Sequence, residues 1–295
     1  MNRRQFISKS AVVLALGSVA GQEAFAAMSA KRNKGRIGIQ LYSVKDLLPK
    51  DFEGTLKALS AMGYSEVELY GFNGDKFFGR TVKEVSVMVE DMGMTISGTH
   101  TANNKILPED TNAPEWDFWK TRAEHLTSGG AKWAIQSAYP GAKSLDDLKR
   151  IADHFNRAGE VCKKNGIKFG YHNHYEEFEK IDGEVILDYL IKNTDPKLVF
   201  FQLDFGHTVN GGGDCIHYLR NFPGRIPLWH ASDFDAASRE YTEVGKGNVP
   251  YPAMFDLAES SGLEVLTVEQ ETQGDILASC KVDFDYLKQF KWTKV

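Results

Sequence analysis

The chain has 295 residues, a net charge of −5 and a mean hydropathy of −0.36, with 42% hydrophobic and 25% charged residues. This length allows a large buried core, and the composition excludes extended disorder, collagen-like sequence and a polytopic membrane protein. Residues 1–26 contain three basic residues and one acidic residue, so the chain without them carries about −7. Such an acidic balance argues against nucleic-acid binding, which favours a basic surface.

The first 26 residues have the features of an export signal. Two adjacent arginines, Arg3 and Arg4, precede an apolar run over 11–19, and the Ala-Phe-Ala sequence at 24–26 supplies a small-x-small cleavage pattern. The apolar run is shorter than the roughly 20 residues that span a bilayer. The sequence Arg-Arg-x-Phe-Ile-x-Lys resembles a twin-arginine signal, and an ordinary Sec signal is the alternative.

We therefore expect a signal peptide at 1–26 and one domain at 27–295. The mature protein is then periplasmic or otherwise exported, with no stable membrane insertion after cleavage. The three cysteines, Cys162, Cys215 and Cys280, include no Cys-x-x-Cys pair. They predict buried free thiols, and a single disulfide is the alternative.

Eight short apolar runs have the length and composition of buried β-strands. They cover 36–41, 66–70, 94–99, 132–136, 168–172, 198–204, 226–230 and 264–269. Segments with helical periodicity follow them at 52–62, 82–92, 116–128, 145–164, 185–192, 216–222, 252–260 and 276–290. This alternation predicts parallel strands joined by helices, and hence a single (β/α)8 TIM barrel of the α/β class. A doubly wound open sheet is the alternative, but residues 40–44 lack the glycine-rich phosphate loop that it needs.

An acid, a histidine or an amide closes every predicted strand. In chain order these residues are Gln40, Glu68, His100, Gln136, then His172 with His174 and Glu177, Asp204 with His207, His230 with Asp233, and Glu269 with Gln270. The carboxyl ends of the strands carry the active site in TIM barrels. Because unpaired buried charge costs several kcal/mol, so many polar ends at one rim predict a functional site.

Asp204, His230 and Glu269 end three consecutive strands, so their side chains can meet. Two carboxylates and an imidazole form a mixed oxygen and nitrogen site for one divalent metal ion, with Mn²⁺ the first choice and Zn²⁺, Co²⁺ or Fe²⁺ the alternatives. The fifth strand supplies a fourth ligand, either His172 or Glu177. A cluster of ion pairs and hydrogen bonds without metal is the other interpretation.

Several sequence motifs resemble the sugar phosphate isomerase/epimerase family of xylose isomerase-like TIM barrels. They are Gly-Ile-Gln-Leu-Tyr-Ser at 38–43, Gly-Tyr-x-x-Val-Glu-Leu at 63–69, Tyr-His-Asn-His-x-x-Glu-Phe at 171–178, Pro-Gly-Arg-Ile-Pro-Leu-x-His-x-x-Asp at 223–233 and Val-Glu-Gln at 268–270. The resemblance covers nearly all of the chain after the signal.

The resemblance implies roles for individual residues. Asp204, His230 and Glu269 fall on the metal-ligand positions of the family, and His207 on a position that contacts substrate. At positions 172–174 this chain has His-Asn-His, whereas many relatives have Glu-Asn-His. We take His172 as the fourth ligand because it occupies the strand end, and this leaves Glu177 to act as an acid/base or to bind a substrate hydroxyl.

A metal beside several bases predicts removal of a proton next to a carbonyl, with a metal-stabilised enediolate. His174 is the expected base, since it lies on the same side of an extended segment as His172, and Glu177 or His207 is the partner acid. Six further polar residues are expected to contact substrate: Gln40, Glu68, His100, Gln136, Asp233 and Lys246. The substrate class is a non-phosphorylated sugar, keto-sugar or glycoside, because an export signal disfavours a sugar phosphate and no phosphate cradle is evident.

Other functions remain compatible with these residues. The same site could eliminate a β-leaving group from a 3-keto-glycoside, or the barrel could bind a periplasmic sugar without catalysis. A metal-dependent phosphodiesterase is a third alternative, and the acidic charge disfavours it. The sequence is compatible with a homo-oligomer.

Overall fold

The structure, a computed structural model, describes residues 35–72, 76–272 and 274–292. The export signal expected at 1–26 lies outside the described residues. Eight parallel strands close into one barrel in sequence order. They are β1 (Ile37–Gln40), β2 (Glu66–Leu69), β3 (Thr95–Thr101), β4 (Trp133–Gln136), β5 (Lys168–His172), β6 (Val199–Asp204), β7 (Leu228–Ala231) and β8 (Val265–Val268). The TIM barrel expected from the sequence is confirmed.

Helices surround the barrel. They are α1 (Phe52–Met62), α2 (Val82–Asp91), α3 (Asp117–Ser128), α4 (Leu145–Lys164), α5 (Ile186–Lys192), α6 (Phe205–Asn210), α7 (Cys215–Asn221), α8 (Tyr251–Phe255), α9 (Ala258–Ser261) and α10 (Ile276–Leu287). Residue chemistry explains several boundaries: the Asp51 and Ser144 side chains cap α1 and α4, and Gly63 ends α1 with φ of +112°. None of these described helices is both long and apolar enough to cross a membrane.

The structure differs from the predicted elements in three places. The single helix predicted over 252–260 is two short helices, α8 and α9. The short helix α6 begins directly after β6, because the Asp204 side chain accepts a hydrogen bond from the His207 backbone N–H and caps the helix. Short antiparallel hairpins occur in three loops: Lys76–Phe77 with Arg80–Thr81, Lys180–Ile181 with Glu184–Val185, and Asp233–Asp235 with Glu240–Thr242.

The barrel interior is apolar near the amino ends of the strands and polar near their carboxyl ends. Trp133, Ile135, Leu228 and Val265 form a buried apolar cluster inside the barrel. Gly170 lies beside them, since a Cβ there would lie only 3.3 Å from the Ile135 and Leu228 side chains. Side chains alternate across each strand, so the next inward positions bring polar groups above this cluster.

All three cysteines lie in the described part of the chain. Cys162, Cys215 and Cys280 are buried and free, as the first interpretation of the sequence expected. Burial raises the pKa of each thiol, so these groups behave as small apolar side chains.

Candidate active site

Four side chains at the carboxyl ends of β5 to β8 offer donor atoms to one point. His172, Asp204, His230 and Glu269 each present one donor atom, and these atoms all lie within 4.8 Å of one another. Glu269 Oε2 lies 2.9 Å from His230 Nδ1 and 3.9 Å from His172 Nε2. Asp204 and His230 are direct partners in the β6–β7 register. The tertiary structure therefore brings together the four residues that we expected to bind metal.

The Asp204 carboxylate indicates that this cluster fits a cation. Its Oδ1 accepts hydrogen bonds from the His207 backbone N–H at 2.7 Å and from Ser232 Oγ at 2.5 Å. Its Oδ2 is buried without a hydrogen-bond partner among the described residues, 3.8 Å from His230 Nδ1. An unpaired buried carboxylate oxygen is costly, and a metal ion is one of the few groups that compensates for that cost. Two imidazoles and two carboxylates are a donor set that divalent transition metals accept.

His174 and His207 face this cluster from its outer side. The ring centroids of His172 and His174 lie 4.9 Å apart, and those of His174 and His207 lie 4.8 Å apart. The Tyr241 hydroxyl makes a hydrogen bond with His207 Nδ1, so Nε2 faces Glu271 Oε1 at 3.5 Å. The two histidines that we expected to act as acid and base therefore lie next to the candidate metal ligands.

A buried polar layer lies below the cluster. Glu68 accepts hydrogen bonds from Gln40 and His230, at 2.7 and 2.8 Å, and lies 3.0 Å from His100 Nε2. Gln202 bonds to both Glu68 and His172. Gln40, Glu68 and His100 were expected to contact substrate, but their polar atoms are largely engaged with each other and with the cluster.

Contacts between charged side chains in the cluster shift their pKa values, in several cases against the effect of burial. Burial opposes ionisation of Glu269, but its hydrogen bond to His230 and the charge of that ring lower its pKa to about 2. Burial also disfavours protonated His230, yet Glu68 and Glu269 raise its pKa to about 10. Burial and the neighbouring His207 lower the pKa of His174 to about 4. His174 is therefore neutral near pH 7, as a general base must be.

Glu177 lies behind the cluster. Its carboxylate accepts from the Tyr171 hydroxyl and, at 3.1 Å, from the His174 backbone N–H, and it is fully buried. Burial raises its pKa to about 7. These contacts place Glu177 as a support for the segment that carries His174, and His172 fills the cluster position that we had also considered for Glu177.

Three other residues expected to bind substrate make different contacts. The Gln136 amide, next to the inward Ile135, donates to the Ala138 carbonyl. The Asp233 carboxylate accepts four backbone N–H groups, from residues 234, 245, 247 and 249. Lys246 is exposed and pairs with Glu243 at 3.3 Å. The structure therefore brings none of these three into the histidine and carboxylate cluster.

Several residues of the site were not predicted from the sequence. Gln202, Ser232, Tyr241 and Glu271 contact the cluster or its supporting residues. Two of them could have been found from the sequence. Gln202 lies two residues before Asp204 and Glu271 two residues after Glu269, so in an extended segment each shares a face with that predicted ligand. Tyr241 comes from a hairpin that no pattern predicted.

A cleft opens beside the cluster, between the segments that follow β1 and β8. It encloses about 320 Å³ and is lined in part by Tyr42, Lys45, Gln270 and Glu271. Glu271 links the two features, because it lines the cleft and also lies 3.5 Å from His207 Nε2.

The fold and the site define a class, an α/β barrel with a histidine and carboxylate cluster at its carboxyl mouth. The family model described as xylose isomerase-like TIM barrel matches residues 56–293. The chain belongs to the xylose isomerase-like TIM barrel family. The resemblance drawn from the sequence motifs is thus confirmed.

Known relatives of the chain are enzymes. An inosose dehydratase of Clostridium perfringens is 24% identical over 243 residues, which cover 70% of this chain and 80% of the relative. A crystal structure of a sugar phosphate isomerase/epimerase from Parabacteroides distasonis is 29% identical, with a TM-score of 0.78, over 88% of this chain and 96% of that one. The structure of an IolI protein with a bound zinc atom has the same fold at 13% identity, with a TM-score of 0.67 over 86% of this chain and 99% of that one. The similarities to the dehydratase and to the isomerase/epimerase identify the chain as an enzyme of the isomerase, epimerase or lyase kind.

Proposed function

We propose that this chain is a divalent-metal-dependent enzyme that removes a proton next to the carbonyl of a non-phosphorylated sugar or keto-sugar. The observation that carries the proposal is the set of four buried donors with an unpartnered Asp204 Oδ2. Support comes from the relatives, since an inosose is a keto-sugar and isomerisation and epimerisation of sugars involve the same proton removal. One ion is expected, with Mn²⁺ the first choice and Zn²⁺ supported by the zinc-bound IolI structure.

The ligand residues are His172, Asp204, His230 and Glu269. A divalent ion bound there would polarise a substrate carbonyl and stabilise the charge that develops on its oxygen. The surrounding residues then have separate tasks. His174 is neutral and faces the cluster, so it takes the proton from the carbon next to the carbonyl.

The remaining groups orient the base and return the proton. Glu177 holds the His174 backbone in place, and Tyr241 fixes the His207 ring so that its Nε2 faces Glu271. His207 is the proposed proton donor, and Glu271 beside it accepts a substrate hydroxyl. Return of the proton to the other face gives epimerisation, and return to the neighbouring carbon gives isomerisation.

A second candidate reaction is elimination. The relatives named inosose dehydratase favour it, because loss of water next to a carbonyl begins with the same proton removal. We take the cleft of about 320 Å³ beside Glu271 as the place for a glycoside leaving group, as in a 3-keto-glycoside. Product analysis separates the two: elimination releases water or an alcohol and leaves an unsaturated ketone, whereas isomerisation and epimerisation conserve the mass.

Solvent deuterium exchange tests the proposal directly. Metal-loaded protein incubated in D2O with a panel of ketohexoses, 3-keto-glucosides and an inosose is expected to introduce deuterium next to the carbonyl of at least one of them, as seen by proton NMR. His174→Ala should lower that rate at least 100-fold, since a general base contributes about 10²–10⁴-fold. His217→Ala, which removes an exposed histidine on α7, is the matched control. Exchange that persists in His174→Ala would show that another group is the base, and exchange with no panel member would leave a sugar-binding barrel as the better interpretation.

We also propose that residues 1–26 direct export and are removed, so that the enzyme acts in the periplasm on a sugar without phosphate. Support comes from the paired arginines, the short apolar run and the cleavage pattern of the sequence. Cell fractionation and amino-terminal sequencing test this, and a cytoplasmic chain that keeps residues 1–26 would contradict it.

A further inference from the structure

Glu68 lies at the centre of the polar layer below the candidate metal ligands. It is 1% exposed, three side chains donate hydrogen bonds to it, and the His100 ring lies against it. Oε1 accepts from Gln40 Nε2 at 2.7 Å and His230 Nε2 at 2.8 Å and lies 3.0 Å from His100 Nε2, whereas Oε2 accepts from Gln202 Nε2 at 2.8 Å. Both oxygens of Glu68 face N–H donors, and a carboxylate placed in this way only accepts hydrogen bonds, so it fixes where each partner carries its proton.

The orientation of Gln202 follows from this contact. Its NH2 group must face Glu68, which leaves its Oε1 as an acceptor on the opposite side. That oxygen lies 2.7 Å from His100 Nε2 and 3.1 Å from His172 Nδ1, and an amide oxygen can accept both hydrogen bonds. His172 Nδ1 therefore carries the ring proton and donates it. The lone pair of His172 is then on Nε2, the atom that faces Glu269 at 3.9 Å.

The same carboxylate orients His230 without an intermediary. His230 Nε2 donates to Glu68, and Nδ1 points to the cluster, 2.9 Å from Glu269 Oε2 and 3.8 Å from Asp204 Oδ2. His172 and His230 therefore present opposite ring nitrogens to the same point. This arrangement needs opposite tautomers in the two rings, and the contacts of Glu68 set both of them.

We propose that Glu68 is a positioning residue that sets the tautomers of both imidazole ligands, His230 directly and His172 through Gln202. The inference rests on the proposed metal site and gives Glu68 a task other than the substrate contact expected from the sequence. Carboxylate partners of metal-binding histidines contribute about 10–100-fold in metal affinity. Glu68 serves two such histidines, so its loss affects half of the ligand set.

The first test is Glu68→Gln, which keeps the shape and replaces one acceptor by a donor. The new NH2 group must replace either the oxygen that accepts from His230 or the one that accepts from Gln202. The tautomer of His230 is no longer fixed in the first case, and that of His172 in the second. Competition between the protein and a chromophoric chelator for Zn²⁺ and for Co²⁺ is expected to show 10–100-fold weaker binding. The matched control is Glu66→Gln, on the same strand and the same face, which contacts no cluster histidine in the described structure and should bind metal as the wild type does.

A second readout does not depend on affinity. The visible absorption spectrum of the Co²⁺ form should change in Glu68→Gln and stay the same in Glu66→Gln, because it reports the donor geometry around the ion. Gln202→Met is the second variant: it removes the oxygen that His172 Nδ1 and His100 Nε2 share and the donor to Glu68 Oε2. It leaves the contact between Glu68 and His230 in place, so it should weaken metal binding less than Glu68→Gln. If Glu68→Gln does not fold by circular dichroism, the Gln202→Met result decides.

The inference would be overturned if folded Glu68→Gln binds metal with wild-type affinity and has an unchanged Co²⁺ spectrum. The same result in Gln202→Met would overturn it if Glu68→Gln does not fold. A wild-type chain that binds neither metal would instead contradict the proposed function. The inference then has its own test in metal-free protein: nitrogen-15 NMR should find the His172 proton on Nδ1 in the wild type and redistributed in Glu68→Gln. A wild-type ring protonated on Nε2 would overturn it.

Discussion

Asp204 shows how much of the site depends on the two oxygens of one residue. One oxygen caps α6 and holds Ser232, and the other is left without a protein partner and faces His230. The helix cap fixes the orientation of the carboxylate before any ligand binds, so the structure itself arranges the donor. The same cap brings His207, the third residue of α6, to the cluster.

This arrangement predicts the effect of Asp204→Asn. The amide keeps the shape of the side chain but removes its negative charge and puts an NH2 group in place of one of the two carboxylate oxygens. The affinity for metal should therefore fall at least 100-fold. Purified protein reconstituted with Mn²⁺ or Zn²⁺ should hold about one ion per chain by elemental analysis in the wild type, and close to none in the variant. Asp256→Asn, an exposed residue between α8 and α9, should keep the wild-type content. An Asp204→Asn chain with a full complement of metal would show that this residue is not a ligand.

At the scale of elements, the loop after β7 is held by buried carboxylates. Asp233 accepts four backbone N–H groups, and Asp283 of α10 accepts the Val244 N–H at 2.7 Å. Gly247 has room only because it lacks a side chain, since a Cβ there would lie 2.3 Å from Asp233 Oδ1. The hairpin that begins at Asp233 also carries Tyr241, so this loop positions His207 indirectly.

Asp233→Asn should loosen this loop. The amide places an NH2 group against the N–H groups of Gly245 and Gly247, and unsatisfied buried donors cost roughly 1–3 kcal/mol. Hydrogen–deuterium exchange over 243–249 should become faster, and the urea midpoint should fall. Asp235→Asn on the same hairpin is the control, since the Asp235 carboxylate bonds to Ala237 and Ser238 at the turn of the hairpin. Unchanged exchange at 243–249 would show that the four contacts do not hold the loop.

Across the whole molecule, the two ends of the barrel have different tasks. Apolar residues fill the interior near the amino ends of the strands, and the cluster occupies the carboxyl ends, as in other TIM barrels. Glu66 is an exception at the amino end. It is buried, its Oε2 has no hydrogen-bond partner among the described residues, and Arg36 lies 3.6 Å from Oε1.

Glu66 predicts a pH dependence of global stability. Burial, only partly offset by Arg36, raises its pKa to about 7, above the ordinary value near 4.3. The folded chain therefore holds this proton where the unfolded chain has lost it, and the free energy of unfolding falls as pH rises from about 5 to 8. Glu66→Gln removes the ionisation, so its stability relative to the wild type should increase by about 2 kcal/mol over that range.

Urea unfolding of both chains at several pH values measures this change, with Glu115→Gln, an exposed residue, as the control. If the difference between Glu66→Gln and the wild type is the same at pH 5 and pH 8, Glu66 does not titrate as proposed.

The sequence by itself determined the barrel and its family. Eight apolar runs separated by helical segments predict parallel strands covered on both faces, which a closed barrel or a doubly wound sheet provides. The missing glycine-rich phosphate loop after the first strand favoured the barrel. The conclusion that Asp204, His230 and Glu269 converge also came from the sequence, because these residues end neighbouring strands. Their assignment as metal ligands, like the export signal, stays a prediction.

Only the tertiary structure decided which strand-end residues face the same point. A strand that is buried on both faces shows no alternation of polar and apolar residues, so the sequence does not say which side chain points inward. Gln136 and Gln202 illustrate this: one ends its strand but lies outside the cluster, and the other lies before the strand end yet bonds to His172. The shared role of Glu68 depends on contacts between residues 28 to 162 positions apart, and no local pattern encodes such distances.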